Sequence, residues 1–300
     1  MRADTVLIAE QATRGAAVRD ERPLIDGRWP NWTDLFRPRE PLRCARRNRY
    51  RAIWISDLHL GTRGCKAEEL LDFLRHHRAD KLFLVGDIVD GWNLGPSWYW
   101  SPAQAAVCRE IARWRRQGVH VVFLPGNHDE SNAELVEGFF GRVEITANLL
   151  HRTADGRRML VIHGHQFDGS LNLNRWMPMI GSQAYATVLK INEWYSREGG
   201  RSGKRSAVSG YLKLRLRRAL EYLTDFADRA VYEAARDYKA DGVICGHLHR
   251  AERRLIGDVL YVNDGDWVGS RSAIVERRDG TLRVIRWGGL RTIQPVAEAS

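Results

Sequence analysis

Short apolar runs alternate with amphipathic segments through the first half of the chain. Three such runs are Ala52–Ile55, Lys81–Val85 and Val119–Leu124. Between the first two runs, Leu70, Leu71 and Leu74 follow the spacing of one helix face. A second helical pattern covers Ala103–Gln117 and ends at Gly118. Strands that alternate with helices in this way predict an α/β core.

The second half of the chain contains further β-like segments. They are Arg158–Ile162, Gly242–Cys245, Tyr261–Val262, Ser272–Glu276 and Thr281–Trp287. Asp279 and Gly280 form a dipeptide that is typical of a two-residue hairpin turn. We therefore expect the core to continue as antiparallel strands, which makes the fold class α/β with α+β character.

Residues 171–240 interrupt this alternation with two amphipathic helical patterns. Apolar residues recur at spacings of three and four from Ala184 to Tyr195, and again from Leu212 to Ala230. An insertion of helices among strands is typical of a lid. The pattern therefore predicts a helical cap insertion.

The remaining boundaries follow from where the periodic patterns begin and end. Residues 1–49 contain four prolines and no sustained period, and we expect them to form a basic, partly extended arm. Residues 50–290 are predicted to form the core domain, with the insertion inside it. Residues 291–300 remain as a C-terminal tail.

Composition places the chain among soluble globular proteins. Hydrophobic residues make up 44% and charged residues 28% of the 300 residues, which is ordinary for that class. No apolar run approaches the roughly 20 residues that a membrane-spanning helix needs, and the N-terminus lacks the apolar core of a signal peptide. The four cysteines form no CxxC pair and no disulfide framework. We therefore expect a cytoplasmic protein.

The net charge of +10 is concentrated in two segments. Residues 37–51 carry seven arginines and one glutamate, and residues 197–218 carry eight basic residues and one glutamate. Such clusters favour nucleic acid, anionic lipid or a phosphorylated substrate as a partner. A basic face that contacts only solvent is the alternative for either cluster.

Five of the apolar runs end in loops of unusual polar content. These loops contain Ser56–His59, Gly86–Asp87, Gly126–Asp129, His163–His165 and Gly246–His249. Six of the ten histidines fall within them. Since ligands of open α/β sheets bind outside the carboxyl ends of the strands, we expect the five loops to converge at one edge.

The donor types in these loops indicate a metal site. Aspartate, histidine and asparagine without thiolates suit a pair of divalent transition ions such as Mn, Fe, Co or Zn better than Ca. In the D-x-H and H-x-H motifs, residues two apart on an extended chain point the same way and can reach one site. One such motif is weak evidence, whereas five polar loops in order, each after an apolar run, are strong evidence.

Several residues near the loops are expected to have structural roles. Asp90 is interpreted as a local turn or cap residue. His76, His77, His120 and His151 lie outside the motifs and are expected at the surface or at sheet edges. An aromatic group is expected to serve packing rather than base stacking, and it comprises Trp92, Trp98, Tyr99 and Trp100.

The ordered motifs DLH, GD, GNHD, HGH and GHLH resemble the signature of the calcineurin-like metallophosphoesterases. The resemblance spans about Tyr50 to Leu290, which is most of the chain. It implies a sandwich of two mixed β-sheets flanked by helices. It also implies a hydrolase of phosphoesters or pyrophosphates, in which a hydroxide held by two metal ions attacks phosphorus.

The same resemblance implies roles for individual residues. It implies seven metal ligands, with Asp57, His59 and His249 on one ion, Asn127, His163 and His247 on the other, and Asp87 as the bridge. His165 is the alternative to His163 in its loop. His128 would be the acid that faces the phosphate, oriented by Asp129, and Asn127 and His128 would also contact the substrate.

A finer resemblance concerns the substrate. The stretches ISDLHLGTRGCKAEELLDFL, LVGDIVDGW and VNDGDWVGS, with the helical insertion before GHLH, are similar to the UDP-2,3-diacylglucosamine pyrophosphatase group. That group cleaves a lipid-linked sugar nucleotide in lipid A synthesis. The resemblance implies two divalent ions, with Mn²⁺ expected, and the basic segments favour contact with the anionic inner face of the cell membrane. Lys204, Arg205 and Lys213 of the cap are the expected additional substrate contacts.

Other functions remain as alternatives. The cap candidate is longer and more basic than that group requires, and the arm is extra. These differences leave open a paralogue that acts on another phospholipid-like substrate or on a nucleotide diphosphate. The basic charge favours a nuclease or a cyclic-nucleotide phosphodiesterase. A non-enzymatic scaffold is the weakest alternative because no ligand position is degraded. The oligomeric state is left open.

Overall fold

The computed structural model describes residues 48–90, 98–129, 133–170, 227–288 and 293–295. Residues 1–47, 171–226 and 296–300 lie outside the described residues, and with them most of the predicted arm, most of the predicted insertion and part of the predicted tail. Within these ranges, no helix is long and apolar enough to cross a membrane.

The described residues form twelve strands and several helices. The strands are β1 Asn48–Ile55, β2 His77–Val85, β3 His120–Leu124, β4 Glu144–Ile145, β5 Leu149–Arg152, β6 Arg158–Val161, β7 Gly242–Cys245, β8 Glu252–Ile256, β9 Val259–Asn263, β10 Ser272–Glu276, β11 Leu282–Trp287 and β12 Ile293–Pro295. The helices are α1 Ala67–His76, α2 Pro102–Arg116, α3 Ala133–Phe140, α4 at 227–237, and a 3₁₀-helix at His165–Ser170.

The strands form two mixed sheets. The first has seven strands in the order β12-β11-β10-β1-β2-β3-β4, and the second has five in the order β5-β6-β7-β9-β8. In the first sheet β1, β2, β3 and β4 run parallel, whereas β10 to β12 are antiparallel. In the second sheet β6, β7 and β9 run parallel. The predicted sandwich of two mixed sheets is confirmed.

Alternation along the strands builds a four-layer molecule. In β1, Ile53 and Ile55 face a cluster with α1, α2 and α3, whereas Ala52 and Trp54 face the second sheet. The inter-sheet cluster contains residues of both sheets, including Phe83 and Met159. Helix α4 covers the outer face of the second sheet. Period-two alternation with both faces buried therefore sets the layers.

Helix α2 begins with capping signals that the sequence prediction did not use. Ser101 is its N-cap and accepts a hydrogen bond from the backbone N–H of Gln104 at 3.1 Å, and Pro102 occupies the first turn. Such caps satisfy backbone donors that the helix leaves free. The helix ends at Arg116, one residue before the predicted end.

The junction between α1 and β2 departs from the prediction. The helix ends at His76 and the strand begins at His77, without an intervening loop. His77 is fully buried and His151 is 2% exposed, so the expected surface position is wrong for both, although His151 does lie on the edge strand β5. His77 packs on the ring of Phe73 with centroids 4.3 Å apart, which is why the core accepts it.

Several boundaries also differ from the prediction. Strand β1 begins at Asn48, inside the segment assigned to the arm. Residues 227–237, which the prediction assigns to the insertion, form a helix whose Val231 and Ala235 are buried on the second sheet. Strand β9 pairs antiparallel with β8, as expected, but parallel with β7. Strand β8, which has the sequence ERRLI, is absent from the predicted strands. It lies at a sheet edge, where no apolar pattern is required.

The parallel strands determine where the polar loops lie. The carboxyl ends of β1, β2 and β3 meet at one edge of the first sheet, and those of β6, β7 and β9 meet at one edge of the second. A backbone hydrogen bond from Asp57 N to Gly86 O at 3.0 Å joins two of these loops, and one from Gly246 N to His163 O at 3.0 Å joins two others. The loops therefore converge as the sequence predicts.

Candidate metal centre

The loops hold their polar residues through an unusual backbone conformation. Five of the seven predicted ligands have positive φ angles: Asp57 (51°), His59 (47°), Asp87 (54°), His247 (66°) and His249 (55°). The predicted D-x-H and H-x-H alternation on extended chain is therefore wrong. The side chains converge because each loop turns through the left-handed region, which Asp and His adopt more readily than most non-glycine residues.

The first group of donors contains Asp57, His59 and His249. Their ligand atoms all lie within 4.8 Å of one another. Asp57 Oδ1 lies 3.2 Å from His249 Nε2 and 3.9 Å from His59 Nε2. The other carboxylate oxygen, Asp57 Oδ2, accepts the backbone N–H of His247 at 2.9 Å. One oxygen of Asp57 is thus fixed by the backbone while the other faces the two rings.

The second group contains Asp87, His163 and His247, all buried. His163 Nδ1 lies 2.7 Å from the carbonyl oxygen of Val85 and donates to it, because a carbonyl can only accept. This hydrogen bond leaves the lone pair on Nε2, which lies 3.5 Å from Asp87 Oδ1. The ring is therefore held in the tautomer that a metal ligand needs.

Asp87 lies between the two groups. Its Oδ1 is 3.5 Å from His163 Nε2 of the second group, and its Oδ2 is 3.9 Å from His59 Nε2 of the first. Oδ1 also accepts the backbone N–H of His128 at 2.9 Å. A carboxylate that faces both groups with different oxygens has the arrangement of a bridging ligand.

The donors fit a pair of divalent ions. Among the described residues, Asn127 Oδ1 and His163 Nε2 are buried without a hydrogen-bond partner. Leaving such atoms unpaired costs about 1–3 kcal/mol each, and a coordinated cation removes that cost. Carboxylate, imidazole and amide donors without thiolates suit Mn, Fe, Co or Zn.

Charges within the centre shift the pKa values of its residues. Burial opposes a charged ring at His249, but hydrogen bonds with Asp266 and Asp57 outweigh it and raise the pKa to about 10. Burial also opposes a charged His163, but Asp87 and Asp57 raise its pKa to about 9. Burial raises the pKa of Asp57, yet the neighbouring histidines hold it well below its usual range. Binding of a cation at these residues therefore displaces the protons. The affinity of the centre for the cation rises with pH as a result.

A sequence-family model for calcineurin-like phosphoesterases matches residues 50–251. The chain belongs to the calcineurin-like phosphoesterase family. The family and the donor groups together identify the chain as a metal-dependent phosphoester hydrolase. The described residues supply both donor groups of such an enzyme, and the phosphoesterase fold carries them on its strand ends.

Individual proteins and solved structures are also similar to this chain. The phosphoesterase is 27% identical over 245 residues to a UDP-2,3-diacylglucosamine hydrolase of Xanthomonas campestris, covering 76% of this chain and 96% of that protein. It is 25% identical over 177 residues to a DNA polymerase II small subunit of Methanothermobacter thermautotrophicus, covering 47% of this chain but 36% of that subunit. Among solved structures, the E. coli phosphoesterase Yfce aligns with a TM-score of 0.42 at 17% identity, over 83% of this chain and 99% of Yfce.

His128 lies beside the metal donors of the phosphoesterase. Its Nε2 is 3.9 Å from Asp87 Oδ2, and its ring meets that of His59 edge to face with centroids 4.9 Å apart. Its Nδ1 is 3.3 Å from Asp90 Oδ1, and the other oxygen of Asp90 is 3.6 Å from His59 Nδ1. Asp90 therefore orients both rings, and its interpretation as a turn or cap residue was wrong.

Asp129 holds two of the loops together. Its carboxylate accepts backbone N–H groups of Gly126 at 2.6 Å and Ile88 at 2.6 Å. Burial and the neighbouring charge of Asp87 raise its pKa to about 6. Asp129 thus ties the loop after β3 to the loop after β2, and its orientation of His128 stays a prediction.

The loop after β9 contains functional residues that the sequence prediction missed. Asp266 Oδ2 lies 3.0 Å from His249 Nδ1. Ser56 Oγ is 2.5 Å from Asp57 Oδ2 and donates to Asp264 Oδ1 at 2.6 Å. The stretch NDGD, an acidic loop directly after an apolar run, carries the same signal as the five loops that were recognised.

Two glycines allow the loops to approach closely. A Cβ on Gly246 would lie 2.6 Å from Asp57 Oδ2, and a Cβ on Gly126 would lie 2.6 Å from the backbone nitrogen of Asp87. Real Cβ atoms do not approach other atoms this closely, so a side chain at either position would displace a ligand loop.

The other predicted residues have varied outcomes. His163 supplies a ligand atom to the second group. The ring centroid of His165 lies 5.5 Å from that of His163. Trp98 and Trp100 stack on each other and pack against the helix cluster, which agrees with the packing interpretation. Three cap residues lie outside the described residues, namely Lys204, Arg205 and Lys213.

Proposed function

We propose that the chain binds two divalent ions, with Mn²⁺ expected, and hydrolyses the pyrophosphate bond of a UDP-2,3-diacylglucosamine-like lipid-linked nucleotide. The observation that carries the two-ion part is the placement of Asp87. Its two oxygens lie 3.5 Å from His163 Nε2 and 3.9 Å from His59 Nε2, which belong to different donor groups. A site for a single ion would not need a carboxylate shared in this way.

Each group of residues has a defined role in this proposal. Asp57, His59 and His249 would hold one ion, and His163, His247 and Asn127 the other, with Asp87 shared. Two ions held this way supply Lewis acidity and lower the pKa of water.

His128 performs the proton chemistry. Burial lowers the pKa of its ring, but Asp90 and the nearby carboxylates outweigh this and raise it. A protonated His128 can therefore donate from Nε2 to the oxygen that leaves phosphorus, while Asp90 keeps Nδ1 protonated. Assistance of this kind contributes typically about 10²–10⁴ in rate.

The substrate assignment has support from sequence similarity. The relative from Xanthomonas campestris is a UDP-2,3-diacylglucosamine hydrolase, and the similarity covers 96% of its length. The basic segment at 197–218 would suit the phosphates of such a substrate or an anionic membrane that holds it. We include peripheral contact with an anionic membrane in the proposal.

A nuclease is the second candidate. The net charge of +10 and the partial similarity to a DNA polymerase II small subunit favour it. Activity on nucleic acid would fall steeply with salt, because phosphate contacts release counterions.

A parallel substrate screen separates the two candidates. The Mn²⁺-loaded chain is assayed on UDP-2,3-diacylglucosamine in detergent, on single-stranded DNA and on bis-p-nitrophenyl phosphate, at low and high salt. The proposal expects the highest kcat/KM on the lipid-linked nucleotide. A higher kcat/KM on DNA would replace it with the nuclease. Activity on bis-p-nitrophenyl phosphate alone would refute both substrate assignments while retaining phosphoester hydrolysis.

A further inference from the structure

The loop at 263–272 is bound to the first donor group on several sides. The backbone N–H of Trp267 donates to the carbonyl of Asp57 at 3.1 Å, and the side-chain amide of Asn263 donates to the carbonyl of Gly246 at 2.6 Å. Asp266, 5% exposed, directs a carboxylate oxygen at His249 from within this loop. The loop is thus placed to control how His249 presents its ring.

The two oxygens of Asp266 have separate partners. Oδ1 accepts three successive backbone N–H groups, from Val268 at 3.1 Å, Gly269 at 2.6 Å and Ser270 at 2.7 Å. Oδ2 lies 3.0 Å from His249 Nδ1. The three backbone donors fix the orientation of the carboxylate, so Oδ2 can face only the histidine.

This arrangement determines the tautomer of His249. A carboxylate oxygen can only accept, so Nδ1 of His249 carries the hydrogen. In the neutral ring, the lone pair then lies on Nε2, which is 3.2 Å from Asp57 Oδ1. When the non-ligating nitrogen of a metal-binding histidine donates to a carboxylate, the orientation of the ring is also fixed. The ligating nitrogen then becomes more basic.

We propose that Asp266 is a positioning residue that sets the affinity of the Asp57–His59–His249 group for its metal ion by fixing the tautomer and orientation of His249. This inference rests on the two-ion function proposed above. It is independent of which phosphate compound the enzyme cleaves. Asp266 is not itself one of the donors of that group.

The isosteric change Asp266→Asn separates this role from a purely structural one. An amide has one oxygen, and the three backbone N–H groups require it in the position of Oδ1. The NH₂ group must then face His249 Nδ1 and donate to it, which moves the ring hydrogen to Nε2. The turn keeps its three hydrogen bonds, while the ligating nitrogen loses its lone pair.

The test is a Mn²⁺ titration of the full chain followed by electron paramagnetic resonance. The wild type is expected to bind two ions. In Asp266→Asn, one ion should bind as in the wild type, and the Kd of the other should rise roughly 10–100-fold. Asp279→Asn is the matched control, because Asp279 Oδ1 accepts the N–H of Thr281 at 2.9 Å in a hairpin at the opposite end of β10.

A second measurement keeps the inference testable if Asp266→Asn disturbs the fold. In a His249→Ala background, Asp266→Asn should have no further effect on Mn²⁺ affinity, because the histidine through which Asp266 acts is absent. An equal loss in that background would assign Asp266 to loop structure and overturn the inference. Two ions of wild-type affinity in Asp266→Asn would overturn it as well. A wild type that binds fewer than two ions would refute the two-ion function and this inference with it.

Discussion

Asp90 Oδ1 lies 3.3 Å from Nδ1 of His128, and this carboxylate is 4% exposed. Contacts with the two histidines outweigh the effect of burial and hold the pKa of Asp90 well below its usual range. An ionised carboxylate behind the ring directs the opposite nitrogen, Nε2, toward the space beside Asp87. His128, the proposed proton donor, therefore lies on the same side of the site as the metal donors.

The first prediction concerns His128. His128→Ala should lower kcat by roughly 10²–10⁴ because a proton donor to the leaving oxygen is lost. Both ions should remain bound, since neither donor group is changed. Steady-state kinetics and elemental analysis on the same preparation measure the two effects. Loss of an ion from His128→Ala would instead make His128 a ligand.

The second prediction concerns Asp87. Asp87→Ala removes the oxygens that face both donor groups, so elemental analysis should find both ions reduced. His249→Ala, which removes a donor from one group alone, should retain close to one ion per chain. Two retained ions in Asp87→Ala would contradict a bridging role and leave the groups as separate sites.

The third prediction concerns Gly246. Gly246→Ala introduces a Cβ 2.6 Å from Asp57 Oδ2, so Asp57 must move. Overpacking of this kind costs typically about 1–3 kcal/mol, and metal affinity should fall with it. Gly138→Ala is the control, because its Cβ meets nothing within 4 Å. Equal unfolding midpoints for the two variants would show that the Asp57 loop tolerates the extra carbon.

The fourth prediction concerns the pH dependence of stability. Burial lowers the pKa of His77 to about 4, below the value of 6.5 in an unfolded chain. The neutral ring therefore stabilises the fold above pH 6.5, and this stability is lost as the pH falls toward 4. Between pH 7.5 and pH 5 the loss from this group is about 2 kcal/mol.

Urea unfolding of the metal-free wild type and of His77→Gln at both pH values measures this contribution. The variant should lose less stability than the wild type over the interval, by about the amount given. The same loss in both proteins would show that His77 titrates normally. Because the metal donors are shared by the two proteins, their titration cancels in the comparison.

The fifth prediction concerns the basic segment. Replacing Lys204, Arg205, Arg215 and Arg218 by Ser should weaken binding to anionic vesicles, since each basic residue near such a surface contributes about 1 kcal/mol. Activity on lipid substrate should fall while activity on bis-p-nitrophenyl phosphate persists. Equal loss on both substrates would indicate a defect in folding or metal binding. No loss on either would leave the segment as a solvent-facing surface.

The strand ends could be predicted from the sequence because the signal is local. An apolar run such as Val119–Leu124 followed by Gly126–Asp129 gives both a buried strand and a polar loop, and the structure ends β3 at Leu124. The parallel arrangement of the strands then brings such loops together. Donor residues next to an apolar run can therefore be recognised from the sequence alone.

The partners of those donors could not be predicted, because they come from distant parts of the chain. Asp266 reaches His249 across 17 residues and Asp90 reaches His128 across 38. No local pattern distinguishes Asp129, which binds backbone amides, from Asp90, which binds imidazoles. The burial of His77 was missed for a similar reason, since its position depends on a helix that joins a strand without a loop.

The positive φ angles at the strand ends have a consequence for the protein without its ions. Left-handed backbone costs a non-glycine residue roughly 1 kcal/mol or more, and five ligands carry it. The sum is comparable with the roughly 5–15 kcal/mol that separates a folded domain from its unfolded chain. Chelation therefore does more than stop a reaction, because it removes cations that help to hold these turns. The metal-free protein should keep both sheets, but the loops at the strand ends should be less ordered. Its native conformation therefore depends on the supply of metal ions.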